Sequence, residues 1–196
     1  MAIFSKLSLK YKILSIALIG AIGFMSYLAF NFKTASNNDA RLSKIQDVNF
    51  PILDKTGTIW LELFAARTAM QTAISEGESE LIDEAKSHQT KILQYFSDIE
   101  VSEEQYLKPV AQLRTGLNRY INSAEKLTQG MIDGTIEFSK MAEMAKTMNE
   151  HYESFSRDLS QFREQALQDF ASRLNQAKKE SQQALNTGVI LGASII

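Results

Sequence analysis

The sequence predicts an all-α fold, an antiparallel up-down-up-down four-helix bundle continuous with two transmembrane helices. A run of twenty uncharged, mostly apolar residues lies near the N-terminus, at residues 13–32. Between residues 34 and 184, apolar residues recur at alternating steps of three and four, which keep one stripe of each helix facing its neighbours. The chain has only 2 prolines, so few positions interrupt a helix.

The first predicted element is the transmembrane helix at residues 13–32, which Lys12 and Lys33 bracket. A helix of that length spans about 30 Å, the thickness of the hydrocarbon core of a bilayer. The flank at residues 1–12 contains three lysines and no acidic residue. Because positively charged flanks stay in the cytoplasm, we expect a cytoplasmic flank, an anchor in the cytoplasmic (inner) membrane, and residues 33–184 in the periplasm.

A cleaved signal peptide is the alternative explanation for this run. The apolar core of a signal peptide is usually about 7–15 residues long, and small residues follow it at the cleavage site. The run here is longer, and Asn31-Phe32-Lys33 matches a cleavage site poorly, although Thr34-Ala35-Ser36 leaves the alternative open. We therefore expect an uncleaved anchor.

A second apolar run occupies residues 185–196 (LNTGVILGASII). Twelve residues are too few to cross a bilayer, so we expect the run to be the start of a second transmembrane helix that continues beyond Ile196. Gly188 and Gly192 have the spacing that lets two membrane helices approach closely.

The intervening domain at residues 33–184 divides into four helical segments, each with an apolar stripe. The predicted stripes are Ile52, Thr56, Ile59, Leu63, Ala66, Met70 and Ala73 in the first; Leu81, Ala85, His88, Ile92, Tyr95 and Ile99 in the second; Tyr106, Val110, Leu113, Leu117, Tyr120, Ala124, Leu127 and Met131 in the third; and Met141, Ala145, Met148, Tyr152, Phe155, Leu159, Phe162 and Ala166 in the fourth.

Turn residues separate these segments. The sequence SEGES at residues 75–79 separates the first two, and Ser102 with Gln105 fits a capping box before the third. The sequence GMIDGT precedes the fourth, with Asp133 or Thr135 as its cap. Such short loops favour antiparallel neighbours.

The two prolines predict local breaks. Pro109 predicts that the third helix starts at about Leu107 or is kinked, and Pro51 predicts a bend near Phe50. The fourth segment has neither glycine nor proline between Gly134 and Gly188, so its helix should run unbroken into the second membrane segment. A rod of about fifty residues, roughly 75 Å long, can carry a small axial displacement from outside to inside.

Composition and motifs exclude several functions. The chain contains no cysteine, so an exported domain would be stabilised by packing and not by disulfides. Residues after Lys33 carry 17 basic and 23 acidic side chains, which argues against nucleic acid as a partner. His88 and His151 have no second ligand at metal-binding spacing, and no catalytic motif occurs, so we expect no metal, no cofactor and no enzymatic activity.

The candidate ligand-binding residues are Arg67, Thr68 and Gln71, near the end of the first bundle helix. Arg67 and Gln71 are four residues apart and share a helix face, where a guanidinium group and an amide can grip a carboxylate. The alternative is a surface arginine that pairs with Glu62 or with a neighbouring chain.

A lysine-flanked span, an exported helical domain and a second apolar segment together resemble a bacterial chemoreceptor, of the methyl-accepting chemotaxis protein family. The stretch ARTAMQTAI is similar to the arginine-containing stretch with which aspartate and serine receptors hold carboxylates. Arg67 matches its first arginine, Gln71 replaces the second, and Glu62 stands where another arginine is expected.

The resemblance implies a membrane homodimer that binds a small-molecule ligand, or a periplasmic binding protein, between subunits near the distal tip. It also implies that the last bundle helix shifts along its axis and controls a cytoplasmic kinase and its adaptor through a part of the protein beyond Ile196. The sensory module of a histidine kinase or of a cyclic-dinucleotide enzyme, and a non-sensing helical spacer anchored in the membrane, are the alternatives.

Overall fold

A computed structural model describes residues 8–193, with side chains described to Ile190. All elements over this range are helical, as the sequence predicts. They are α1 (Leu9–Lys44), a π-helical turn (Ile45–Asn49), α2 (Phe50–Glu76), α3 (Glu80–Ser102), a 3₁₀ turn (Glu104–Tyr106), α4 (Leu107–Ile132) and α5 (Phe138–Ala193).

The chain forms two compact units. One comprises Gln46–Phe170, which holds α2, α3, α4 and the first part of α5. The other comprises the residues up to Ile45 together with those from Ala171 onward, which are α1 and the last part of α5. We call them the core unit and the terminal unit.

The core unit is built around one hydrophobic cluster to which four helices contribute. The predicted stripe of α2 is confirmed, since all seven of its residues are buried. The predicted stripe of α4 is confirmed from Tyr106 to Leu127, and Ile121 joins it. The largest fully buried side chains are Tyr106, Tyr120, Phe96, Phe155, Ile52, Ile59, Leu63, Ile92, Ile99, Leu117, Ile121 and Leu159.

The predicted stripe of α3 is wrong at three positions. Ile82 and Phe96 are buried, whereas Leu81 and Tyr95 lie only at the margin of the core. His88 is also only partly buried, because its ring turns towards charged residues of α2 and α3. The buried face of α3 is therefore rotated by one residue at two of its turns.

The stripe of α5 is confirmed in part. Phe155 and Leu159, with Phe162 and Ala166, are buried, whereas the four preceding stripe residues, from Met141 to Tyr152, are only half-buried. Gly116 of α4 allows a close approach here, because a Cβ atom at this position would lie 3.3 Å from the Phe155 ring. The tightest packing of α5 thus lies in the middle of the core unit.

Both predicted helix caps are wrong. The Ser102 hydroxyl donates to the carbonyl of Asp98 within α3. The helix α5 starts at Phe138, later than either Asp133 or Thr135 would place it. The turn after α2 depends instead on Gly77, whose φ of 72° lies in the left-handed region, and its N–H donates to the carbonyl of Ala73.

The prolines act as local helix starts. A 3₁₀ turn precedes α4, which begins at Leu107, as Pro109 predicts. Near Pro51 the structure has a π-helical turn where the sequence predicts a bend. The ring of Pro51 crowds the carbonyl four residues earlier, and a wider turn there relieves the clash.

In the terminal unit, most large apolar residues are exposed. No residue of α1 is buried, and large side chains such as Leu14, Ile19 and Phe24 are more than half exposed. Gly188 of α5 is buried, with Tyr27 and Asn31 of α1 each 3.9 Å from the position of a Cβ atom. The glycine therefore permits a close helix contact within one chain, and an ion pair between Arg41 and Glu180 joins the same two helices.

Candidate functional site

Arg67 lies in a cluster with two tyrosines of other helices. Its guanidinium carbon lies 4.3 Å from the centre of the Tyr152 ring of α5. Tyr152 in turn meets Tyr120 of α4 edge to face, with ring centres 5.2 Å apart. A guanidinium group over an aromatic face is attracted by the ring quadrupole, so the cluster links α2, α4 and α5.

The electrostatics of this cluster are set by burial. Tyr120 is 1% exposed, and burial raises the pKa of its phenol to about 12. The positive charge of Arg67 opposes this rise in pKa, and Tyr152 adds to it. The cluster thus keeps Tyr120 neutral well above physiological pH.

The other two predicted ligand-binding residues lie on the surface of α2. The hydroxyl of Thr68 donates to the carbonyl of Phe64 at 3.0 Å, a bond within its own helix. Gln71 is exposed. Of the three residues, Arg67 is therefore the one with a contact to another helix.

The alternative pairing of Arg67 with Glu62 is wrong. Glu62 instead accepts from Nδ1–H of His88, at 2.5 Å, and lies 3.3 Å from the Lys91 ammonium. The bond from His88, helped by Lys91, lowers the pKa of the Glu62 carboxyl, while burial opposes the decrease. This polar cluster joins α2 to α3.

A second candidate site is the groove between α4 and α5, which we call the α4–α5 groove. Its volume is about 710 Å³. The charged residues along it are Lys108 and Arg119 of α4 and Asp158 of α5, with His151 at one end. Leu113 and Phe162 form apolar parts of its wall. The ring of His151 is held by a 3.1 Å contact between Nδ1 and the Ser123 hydroxyl.

The sequence alone does not predict the groove, the Arg67 cluster or the Glu62–His88 cluster. Tyr120 and Tyr152 stand in the predicted stripes, where their only assigned role was in the core. Their pairing with Arg67 depends on which helix faces meet, and no pattern within one helix specifies that. The spacing of Lys108, Gln112, Thr115 and Arg119 by four, three and four residues is the one signal of a shared polar face.

Comparisons with known proteins give no significant match for the chain. No protein-family model matches it, and neither a curated protein nor a solved structure is significantly similar to it. In the described part of the chain, one helix near the N-terminus is long and apolar enough to cross a membrane, a property that signal sequences share.

Proposed function

We propose that the chain is the sensory part of a transmembrane receptor. In this proposal, the core unit lies in the periplasm, detects an extracytoplasmic stimulus, and passes it through α5 into the second membrane segment. The observation that carries the proposal is α5 itself, an unbroken helix of 56 residues. Its first part contributes Phe155 and Leu159 to the core, and its last part includes the apolar run from Leu185.

The proposed bundle is antiparallel, with an up-down-up-down order. Contacts between successive helices support it, because residue numbers rise along one helix as they fall along the next. The supporting pairs are Lys55–Asp98 and Glu62–His88 for α2 and α3; Arg114–Glu100 and Lys86–Glu125 for α3 and α4; and Tyr106–Phe162, Gly116–Phe155 and Tyr120–Tyr152 for α4 and α5.

The proposed membrane anchor is the apolar part of α1. Its large apolar side chains are exposed, with Ile13 and Leu14 at 63% and 64% and Ile16 at 68%. Water is a poor solvent for a helix that is apolar all round, whereas lipid is a good one.

The absence of cysteine from the chain makes the topology directly testable. Ser160→Cys places a single thiol on an exposed position of α5, and Ser8→Cys places one before α1. A membrane-impermeant maleimide applied to intact cells should label the first variant and spare the second until the cells are lysed. Labelling of Ser8→Cys in intact cells would show that this flank lies outside the cytoplasm and would overturn the proposal.

The proposed receptor is a homodimer whose subunits meet along α2. The exposed face of this helix carries Phe50, Leu61 and Phe64, each at least 60% exposed. The same face continues through Thr68, so a second copy would bring the two Arg67 regions together. A small-molecule ligand, or a binding protein at the tip, would then contact Arg67, Thr68 and Gln71 of both copies.

Disulfide formation tests this interface. Thr68→Cys lies on the proposed seam and should form a crosslinked dimer under mild oxidation in membranes. Thr90→Cys is equally exposed but lies on α3, and it should crosslink far less. Equal crosslinking of the two variants would contradict the seam.

Chemotaxis is the proposed output, through a kinase-controlling rod beyond the second membrane segment. A hybrid in which a chemoreceptor signalling rod follows the chain tests it. Replacing Lys178 and Lys179 by two glycines should uncouple the hybrid, because glycine weakens a helix. Replacement by two alanines removes the same charges and should preserve the response. A normal response from the glycine variant would contradict transmission through a rigid α5.

A further inference from the structure

The α4–α5 groove carries charges that the chain itself does not pair. Across the α2–α3 and α3–α4 faces of the core unit, charged residues form ion pairs, such as Lys55–Asp98, Lys86–Glu125 and Arg114–Glu100. Within the described residues, no hydrogen bond or ion pair engages the side chains of Lys108, Arg119 and Asp158. Charges of both signs therefore line one groove and remain available to a ligand.

The size of the groove fits a small organic ligand. Its volume of about 710 Å³ lies within the range of roughly 300–1,000 Å³ that is typical of ligand pockets. The exposed Ala111 and the half-buried Pro109 supply apolar surface, and Gly116 brings α5 close to α4 at the middle of the groove. The ligand would thus contact apolar side chains along part of its length.

The spacing of the opposite charges selects the length of the ligand. Gly116 faces Phe155, so in the proposed antiparallel order Asp158 is level with residue 113. Arg119 then lies six residues further along α4, an offset of about 9 Å along the helix axis at 1.5 Å per residue. An extended tripeptide spans about 10 Å between its termini. The two charges of a free amino acid are attached to one carbon and are too close together to reach both residues.

Side-chain amides in the groove match a peptide backbone. Gln112 on α4 and Gln161 and Gln165 on α5 line the groove. A side-chain amide both donates and accepts hydrogen bonds, as each peptide group of a ligand requires. A neutral sugar would satisfy the amides but would leave Arg119 and Asp158 unpaired, so the charges favour the peptide.

We propose that the α4–α5 groove binds a short linear peptide of about three residues with free termini. Arg119 pairs with the C-terminal carboxylate, and Asp158 pairs with the N-terminal ammonium. This site is separate from the Arg67 region. Its role as a stimulus site rests on the proposed sensory function, whereas binding to it does not.

Calorimetric titration of the full chain in lipid nanodiscs tests the proposal. The probes are triglycine, trialanine and trileucine, with free alanine as the comparison. We expect at least one tripeptide to bind and free alanine not to bind. Amidation of the C-terminus and acetylation of the N-terminus should each weaken binding up to about fivefold, because each removes an ion pair at the protein surface.

Matched variants assign each terminus to its residue. Arg119→Gln should abolish the discrimination between free and amidated peptide, and Asp158→Asn should abolish the discrimination between free and acetylated peptide. Arg163→Gln changes an exposed arginine of α5 outside the groove and should bind as the wild type does. All three positions lie at the surface, and circular dichroism confirms that each variant folds.

Three results would overturn the groove as a peptide site: no tripeptide binding at millimolar concentration, equal binding of free and capped peptides, or equal losses in Arg119→Gln and Arg163→Gln. Failure of the sensory proposal has a different signature. In that case the peptide binds with the expected discrimination, and the hybrid receptor gives no response to it or to any other stimulus.

Discussion

Leu63 of α2 and Leu18 of α1 are both leucines within α-helices, but their surroundings differ. Leu63 is 0% exposed within the core unit, and Leu18 is 61% exposed in the terminal unit. Other helices cover the buried face of α2, whereas α1 has no buried residue. The difference teaches that α2 is shaped for a protein core, and the exposure of α1 is what the proposed membrane anchor requires.

Replacing each of the two leucines by alanine tests the difference in their surroundings. The largest expected effect of all the predictions is that of Leu63→Ala. Leu63→Ala should lower the free energy of unfolding of the core unit by about 2–5 kcal/mol, because it leaves a cavity among packed side chains. Leu18→Ala should leave the same quantity unchanged within about 0.5 kcal/mol. Chemical denaturation monitored by circular dichroism in detergent gives both values. Similar losses for the two variants would mean that α1 also packs in a protein core.

A charged residue introduced into the apolar run of α1 tests whether this helix lies in the membrane. Ile22 is 58% exposed, and Ile22→Arg should raise the free energy of membrane insertion by about 2.5–3.5 kcal/mol. The fraction of the chain that resists alkaline extraction from membranes should fall accordingly, while Ile22→Leu should behave as the wild type. If Ile22→Arg is retained as well as Ile22→Leu, this part of α1 does not face lipid.

Alkaline pH tests whether Tyr120, in the cluster with Arg67 and Tyr152, is shielded from water. Burial raises the pKa of Tyr120 to about 12 from its usual 10, so the native state holds this proton more tightly than the unfolded state. The stabilisation is present below pH 10 and is lost as pH rises to about 12. Phenylalanine has no ionisable hydroxyl, so the free energy of unfolding of Tyr120→Phe should fall less over this pH range, by up to roughly 2 kcal/mol. Equal loss in wild type and variant between these pH values would place Tyr120 in water.

The elements that could be predicted from sequence are those in which one helix alone contains the signal. In α2 and α4 the steps of three and four identify the buried faces, although α2 also carries apolar residues such as Leu61 and Phe64 on its exposed face. In α3, Leu81 lies beside Ile82 and Tyr95 beside Phe96, so two adjacent faces are equally apolar and the spacing selects the wrong one. The long α5 follows from the lack of glycine and proline in its sequence.

The candidate sites depend on pairs of helices and were correspondingly less predictable. Arg67 was identified from its local sequence, yet its contact with Tyr152 depends on how α5 packs against α2. The Glu62–His88 pair likewise joins residues 26 positions apart.

A helix cap depends on the backbone at one residue, and the wrong caps at Ser102 and Asp133 arise because several polar residues in each turn fit the same pattern.

The polar pair between α2 and α3 gives the smallest expected effect. Hydrogen bonding from His88 lowers the pKa of Glu62, so the stabilisation from this pair is present above pH 4.5 and is lost as pH falls through the folded-state pKa. Glu62→Gln should lower the free energy of unfolding by about 1 kcal/mol at neutral pH and should flatten its decrease in acid. Glu153→Gln, at an exposed position of α5, is the control and should change neither. If the free energy of unfolding falls as steeply in acid for Glu62→Gln as for the wild type, other carboxylates cause that fall. The contact between α2 and α3 would then depend on apolar packing alone.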